Sequence, residues 1–224
     1  MPNYTLDFFF VTQYLDKLLH GLWISLELTI GAILIGLVAG FIVCLLALSR
    51  FRLLAWLATG FIEFFRCTPA LIQIVWFFYC VPILFNVYLE PMTMGLLALG
   101  LNCTAFNAEA YRAAIQGIPA SHHDACTALG IKGLTKNLYV ILPQALRSAT
   151  PVLLTVGIML FQQSALVSLV AIEDLMYEGK ILSTLTYRPI ETFTTVALIY
   201  FLVSFPFTRL VGHIERRSQR GARI

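Results

Sequence analysis

Residues 121–144 read SHHDACTALGIKGLTKNLYVILPQ and carry two histidines, one aspartate and two lysines. This polar stretch separates two long apolar runs in a chain of 224 residues that is 59% hydrophobic and only 12% charged. A soluble domain carries about 25% charged residues. Because so few polar side chains cannot cover a water-facing surface, the sequence predicts an integral membrane protein. Its length allows one domain, residues 1–224.

The residues that usually carry catalysis or bind metals are scattered along the chain. The five cysteines form no Cys-x-x-Cys pair, and four fall in or beside apolar runs, where a cysteine behaves as a small hydrophobic residue. His122 and His123 are adjacent and would point in different directions on a helix, which makes a poor metal pair. No catalytic constellation and no glycine-rich phosphate loop is evident. The chain is therefore predicted not to be an enzyme and to bind no metal, cofactor or nucleic acid itself.

Five apolar runs are long enough to cross a bilayer, whose hydrocarbon core of about 30 Å needs roughly 20 residues of helix. They are residues 21–48, 69–89, 92–112, 138–171 and 192–211. Backbone groups in lipid must bond within their own segment, and continuous apolar runs exclude the alternating pattern of a barrel. The predicted fold class is therefore all-α with five transmembrane helices. Pro82 is expected to break the second helix, and Pro143 and Pro151 to kink the fourth.

The positive charges predict the orientation of these helices. Twelve of the fifteen Lys and Arg residues fall in the loop after the first run, between residues 112 and 147, or from residue 209 onward. Because cytoplasmic loops carry the excess of positive charge, the N-terminus is predicted outside and the basic tail, residues 212–224, in the cytoplasm. Residues 1–20 lack a basic start ahead of their apolar patch, which favours a segment at the membrane surface over a cleaved signal peptide.

Within the polar stretch, now predicted to be cytoplasmic, residues 118–130 are expected to form a short helix. Pro119 is suited to the start of a helix, and Ser121 or Asp124 can cap it or lie in its first turn. Gly130 can end the helix because glycine readily adopts the left-handed backbone conformation. Such a helix, held between two spans, would fit a groove on another protein or lie on lipid headgroups. Its residues alone favour neither.

A resemblance to a known family favours the protein groove. The sequence Asp124-Ala125-Cys126, then Gly130 after three residues and Val140-Ile141-Leu142-Pro143 after nine more, resembles the EAA loop of ATP-binding-cassette importer membrane subunits. Other segments are similar to the polar amino-acid permease subfamily, the histidine, glutamine and glutamate type. They include EFFRCTPALIQIVWFFYCVP (63–82), ILPQALRSATP (141–151) and ALVSLVAIEDL (165–175), and the resemblance runs from about residue 20 to residue 217.

This resemblance implies several partners. A second permease chain, either similar to this one or a copy of it, would complete a path through the bacterial inner membrane, with lipid around the pair. Two cytoplasmic ATPase subunits would bind ATP and Mg²⁺, and an extracytoplasmic binding protein would deliver the substrate. The EAA-like loop, residues 118–136, would couple the ATPase to the spans. Its coupling residues would be Ser121, His122, His123, Asp124, Ala125, Cys126, Leu129 and Gly130.

Polar side chains inside the spans are candidates for the substrate path, because such groups are costly in lipid. They are Gln162, Gln163, Ser164 and Ser168 in the fourth span and Asn102 and Thr104 in the third. The family pattern has an acid where this chain has Gln163, so either the partner chain supplies the acid or the substrate is neutral or acidic. The resemblance implies a polar amino acid, with glutamate, aspartate or a neutral amide as candidates. Hydrogen bonding between helices is the alternative role for these side chains.

Some residues are expected to have structural roles first. Arg66-Cys67-Thr68-Pro69 resembles the family's Arg-Gly-Thr-Pro, so Arg66 and Pro69, together with Pro143, are expected to be anchors at the cytoplasmic face. Gly31, Gly36 and Gly40 favour close packing within the chain over a dimer seam, and Glu109 and Arg112 are spaced to pair on a helix. The alternative function, a stand-alone secondary transporter or channel, does not explain the EAA-like loop.

Overall fold

The computed structural model describes the backbone of residues 6–221 and the side chains of residues 6–216, and all of its regular secondary structure is helical. The α-helices are α1 Phe9–Thr12, α2 Leu15–Ala47, α3 Arg52–Cys67, α4 Ala70–Phe85, α5 Pro91–Gln116, α6 Ala120–Ala128, α7 Gly133–Lys136, α8 Leu142–Gln163, α9 Leu175–Thr186 and α10 Pro189–Gly221. A π-helical turn, Asn137–Ile141, precedes α8, and a 3-10 segment, Ser164–Val170, follows it. The predicted all-α class is confirmed for the described part of the chain.

Among the described residues, three helical segments are long and apolar enough to cross a membrane: Leu15–Ala47, Gly133–Val170 and Pro189–Arg216. The pair α3 and α4, bent by 106°, would count as a fourth. Helix α5 is not among them because its sequence includes Asn102, Asn107 and Glu109. The count of five spans and the orientation of the termini therefore stay predictions.

Helix α5 is the centre of the bundle, and α2 lies along it. Ala98, Leu99 and Cys103 of α5 are buried with Leu28 and Ala32 of α2 in one apolar cluster. The close approach depends on glycines. Gly36 lies directly against Cys103, and a Cβ atom at Gly40 would come within 2.9 Å of Asn107 Cβ and 3.0 Å of the Thr104 carbonyl oxygen. The prediction that these glycines serve packing within the chain is confirmed at both positions.

Helices α3 and α9 were not predicted from the sequence. Helix α3 occupies residues that the charges Arg50, Arg52 and Arg66 had suggested were a loop, but it is amphipathic and buries Ala58, Ile62 and Phe65. Helix α9 follows the fourth run, where Asp174 caps its first turn by accepting a hydrogen bond of 2.9 Å from the Tyr177 backbone N–H. Both helices pack one narrow face on the bundle, which a search for long apolar runs does not detect.

The prolines affect the spans differently from what was predicted. The break at Pro82 was wrong, because α4 continues through that residue and ends at Phe85, with Asn86 in the left-handed conformation (φ 52°). Pro143 lies in the first turn of α8, directly after the π-helical turn, and Pro151 lies inside α8. Since proline donates no backbone hydrogen bond, the irregular turn before Pro143 is one of the two places where the long fourth segment departs from regular α geometry; the other is the 3-10 segment Ser164–Val170.

A buried polar cluster joins α2, α9 and α10 at the end of the bundle next to α9. Besides its cap contact, the Asp174 carboxylate accepts from Tyr200 Oη at 3.4 Å, and the Leu175 backbone N–H donates to Ser25 Oγ at 3.1 Å. A Cβ atom at Gly21 would come within 2.9 Å of the Asp174 carbonyl oxygen. The N-terminal segment packs here as well, because the buried Val11 of α1 belongs to the same apolar cluster as Leu18, Leu175, Leu182 and Val196. Of the predicted surface segment 1–20, residues 1–5 lie outside the described residues.

Replacing Gly40 with alanine is expected to destabilise the protein, because the new methyl group meets backbone atoms of α5 and overpacking costs about 1–3 kcal/mol. The same substitution at Gly60, where a Cβ atom would meet nothing within 4 Å, is the matched control. It should leave or raise the melting temperature, since alanine is the better helix former by roughly 0.5–1 kcal/mol. Thermal unfolding in detergent measures both variants. Equal melting temperatures would contradict the close contact of α2 with α5.

The stability of the protein is also expected to depend on the protonation of Asp174. Burial raises the pKa of this carboxyl group from its ordinary 3.8 to about 6, although several hydrogen bonds favour its charged form. Between these two pH values the folded protein holds a proton that the unfolded chain releases, so stability decreases as the pH rises through that window. The variant Asp174→Asn stays neutral and keeps a good cap residue. Its melting temperature should therefore fall less than that of the unaltered protein between about pH 4 and pH 7; identical pH profiles would refute this.

Candidate translocation and coupling sites

A small cavity of about 10 Å³ lies between α5 and α8, and it brings together two of the predicted path residues. Its lining consists of Asn102 and Phe106 from α5 with Val156, Met159, Leu160 and Gln163 from α8. Asn102 is almost fully buried, at 3% exposure, whereas Gln163 is half-buried. Two side-chain amides therefore face one otherwise apolar space, which lies between the middle of α5 and the last turns of α8.

Asn102 is held by a residue that was not predicted, Gln73 of α4. The Asn102 Nδ2 atom donates to Gln73 Oε1 at 2.9 Å, and Gln73 Nε2 donates to the Phe65 carbonyl oxygen at 2.8 Å, to the Thr68 carbonyl oxygen at 3.0 Å and to Thr68 Oγ1 at 2.7 Å. Gln73 is buried, at 5% exposure. A lone glutamine in an apolar run is a detectable signal, because polar groups in spans mark functional or bonded positions.

The remaining path candidates do not join this cavity. Thr104 Oγ1 donates to the Gly100 carbonyl oxygen at 2.7 Å, and Ser164 Oγ donates to the Phe161 carbonyl oxygen at 2.8 Å, so both hydroxyl groups bond within their own helical segment. Ser168 is buried and Gln162 is exposed. The Thr104 bond is therefore not the hydrogen bond between helices that the alternative role predicts.

An ion cluster joins α3 to the end of α5. Arg112 binds Glu109 through two contacts, Nε to Oε2 at 2.9 Å and Nη2 to Oε1 at 2.8 Å, as their spacing predicted. Arg66 of α3 approaches Glu109 Oε2 at 3.8 Å and lies over the ring of Phe106, 5.9 Å from its centroid. The predicted anchoring role of Arg66 thus has a physical basis, and Pro69 directly precedes the first residue of α4.

The short helix in the polar stretch is α6, and its end has the geometry that the sequence predicted. Pro119 directly precedes the helix, and neither Ser121 nor Asp124 forms a side-chain cap. Gly130 is left-handed at φ 72°. The Ile131 backbone N–H donates to the Cys126 carbonyl oxygen at 2.8 Å and the Gly130 N–H to the Thr127 carbonyl oxygen at 3.1 Å. These two bonds form a Schellman motif, which needs a left-handed residue at the glycine position.

Most of the side chains of α6 face away from the bundle. Cys126 is buried and His123 is half-buried, while the exposed members are Ser121, His122, Asp124, Ala125 and Leu129. Leu129 is 75% exposed, and Leu134 and Tyr139, which follow it, are 74% and 78% exposed. An apolar group of this kind, set beside polar residues on a loop, is typical of a surface that contacts another protein.

Metal chemistry is not indicated by the described part of the chain. Within it, no three His, Cys, Asp or Glu side chains come close enough to hold a metal ion. The polar atoms of the cavity are those of amides, which bind by hydrogen bonds and carry no charge. The cavity has room for about one water-sized polar group. Its two amides can hydrogen-bond such a group, but they offer no nucleophile or general base.

Comparison with known proteins gives consistent matches over nearly the whole chain. Residues 32–220 match the family described as binding-protein-dependent transport system inner membrane component. The glutamate/aspartate import permease protein GltK of Escherichia coli O6:H1 is 32% identical over 96% of this chain and 99% of its own length. The arginine transport system permease protein ArtQ of Bacillus subtilis is 28% identical over 95% of this chain and 97% of its own.

The fold comparison agrees with the sequence matches. The crystal structure of an amino acid ABC transporter with histidines aligns with this chain at a TM-score of 0.90, with 32% identity, over 96% of this chain and 100% of that one. The tertiary arrangement described above is therefore that of a solved amino acid transporter chain.

Proposed function

Because the chain belongs to the binding-protein-dependent transport system inner membrane component family, whose members are membrane subunits of ATP-binding-cassette importers, we propose that it is one permease subunit of an ATP-driven amino-acid importer in the bacterial inner membrane. The observation that carries this proposal is the exposed helix α6, Ala120–Ala128, set between α5 and α8 in a chain whose whole fold matches a solved amino acid ABC transporter. A stand-alone secondary transporter or channel is not favoured, since the family depends on binding proteins.

In this proposal, α6 docks on a cytoplasmic ATPase subunit. Its exposed face offers Leu129 as an apolar anchor and His122 and Asp124 as polar contacts, a combination that resembles the core and rim of protein interfaces. Pro119 and Gly130 define the two ends of the helix. A displacement of α6 would therefore move the adjoining segments, because the helix ends would not unwind. ATP and Mg²⁺ would be bound by the two ATPase subunits, and this chain would carry no catalysis.

The substrate path would run past the cavity of Asn102 and Gln163 and would be completed by a second permease chain. Both side chains are neutral amides, so they can hydrogen-bond the ammonium or the carboxylate of an amino acid without preferring a charged side chain. A polar amino acid is the proposed substrate, with glutamate and aspartate as the leading candidates because the name of the 32% identical relative specifies them. An acidic substrate agrees with the presence of Gln163 where the family pattern has an acid.

A tagged pull-down from native membranes in mild detergent tests the proposal. We expect an ATPase and a second, similar permease chain to co-purify with the tagged protein, and the purified complex to hydrolyse ATP faster when its binding protein is loaded with glutamate or aspartate. An ATPase without a second permease chain would indicate a homodimer. An intact complex without any ATPase would contradict the proposal.

Replacing Gly130 with valine is expected to uncouple the complex. A β-branched residue is strained at a φ of 72°, so the Schellman end of α6 should open. ATP hydrolysis should then continue while transport falls by roughly 5- to 150-fold, which corresponds to about 1–3 kcal/mol of backbone strain. The matched control is Gly130→Asn, because asparagine tolerates the left-handed conformation. Transport by the valine variant at the rate of the asparagine variant, with equal membrane insertion, would refute the coupling role of this helix end.

A further inference from the structure

We infer that Gln73 is a positioning residue of the translocation site, which fixes the amide of Asn102 so that its carbonyl oxygen, and not its amino group, is available to the cavity shared with Gln163. The inference deepens the proposed function and rests on it, since it concerns how that site binds an amino acid. It starts from hydrogen bonds whose direction is set by the backbone.

The orientation of Gln73 is determined at its amino end. Gln73 Nε2 lies 2.8 Å from the Phe65 carbonyl oxygen and 3.0 Å from the Thr68 carbonyl oxygen. Backbone carbonyl groups can only accept hydrogen bonds, so an amide oxygen could not take this place. Thr68 Oγ1, the third neighbour at 2.7 Å, also acts as an acceptor because it donates its own proton to the Phe64 carbonyl oxygen at 2.8 Å.

The orientation of the Gln73 amide in turn determines the orientation of the Asn102 amide. With its Nε2 atom fixed, Gln73 presents Oε1 at its other side, and this atom can only accept. Asn102 must therefore place its Nδ2 atom at this contact, where the distance is 2.9 Å, and Nδ2 also lies 3.5 Å from the Phe65 carbonyl oxygen. The choice between the two amide orientations of an asparagine is usually ambiguous, but here two backbone carbonyl groups decide it through Gln73.

This arrangement gives the cavity a defined chemistry. Asn102 lines the cavity with Gln163, and its Nδ2 atom is occupied by Gln73, so its Oδ1 atom is the polar group left for a ligand. An acceptor at this depth suits a hydrogen-bond donor, and the donor common to all amino acids is the ammonium group. Asn102 would thus bind the ammonium group of the substrate, whatever its side chain.

Gln73 also has a structural role from which its positioning role must be separated. It bonds the Phe65 and Thr68 carbonyl groups at the end of α3, where the chain bends by 106° into α4 and the last carbonyl groups of a helix need partners. Loss of Gln73 could therefore weaken the bend itself. A double-mutant comparison with Asn102 separates the two roles, because only the positioning effect depends on Asn102.

The test uses the complete importer in proteoliposomes, with transport measured over a range of glutamate and aspartate concentrations. We expect Gln73→Leu to raise the KM at least about tenfold, because a buried amide without its partner is costly, and Asn102→Ala to have an effect of similar size. The double variant should have the KM of Asn102→Ala alone. The control Thr68→Val should stay near the unaltered protein, since Gln73 keeps both backbone acceptors for its two N–H groups.

Two results would overturn the inference. One is an unchanged KM in Gln73→Leu. The other is a further rise of the KM when Gln73→Leu is added to Asn102→Ala, which would assign the effect to the bend. If the leucine variant does not assemble, Gln73→Met replaces it in the same comparison, because methionine is unbranched and flexible like glutamine but lacks the amide that bonds Asn102. An unaltered complex that lacks amino-acid-stimulated ATP hydrolysis would contradict the proposed function instead, so the two failures are distinguishable.

Discussion

The structure depends on one constraint: α5 carries polar groups through the centre of an apolar bundle, where most of them are bonded within the protein, although the buried Asn107 Oδ1 atom has no hydrogen-bond partner among the described residues. Asn102 bonds to Gln73, Thr104 to its own helix, and Glu109 to Arg112 and Arg66. A polar group left without a partner in a medium without water costs several kcal/mol. The neighbours of α5 are therefore positioned by its polar side chains as much as by apolar contacts, and the tight glycine contact with α2 closes its remaining side.

The bend between α3 and α4 follows from the same constraint. A helix that ends inside a bundle leaves carbonyl groups without partners, and here the Gln73 amide bonds two of them. Arg66 lies in the last turn of α3, directly before the bend, and reaches Glu109 on α5. The bend thus contacts α5 at two positions, Asn102 and Glu109. These contacts connect α3, α4 and α5, so that a movement of one helix would affect the other two.

The features that the sequence predicted correctly are those that depend on residues close together in the chain. Gly130 at the end of α6, Pro69 before α4 and the pairing of Glu109 with Arg112 each depend on residues a few positions apart. Helix α3 was missed because its charged residues suggested a loop while its buried face is narrow. The partnership of Gln73 with Asn102 joins residues that are 29 positions apart, and no local pattern specifies which of several polar residues will meet. The ATPase-coupling role of α6 and the identity of the substrate depend on other chains, so neither follows from this one.

The connection between the cavity and α6 is a single element of secondary structure. Helix α5 carries Asn102 near its middle, continues to Gln116, and is followed by α6 at Ala120. The helix between Asn102 and Gln116 is about 21 Å long at about 1.5 Å per residue. In the proposed function, a displacement of α6 would reach Asn102 along this one helix, and Arg66 would carry it to the bend that holds Gln73. The bond between Gln73 and Asn102 is a second connection between the bend and α5. A rotation of α5 would therefore either move the bend or break that bond. The same hydrogen bond that orients the binding amide would therefore also respond to the movement of the coupling helix.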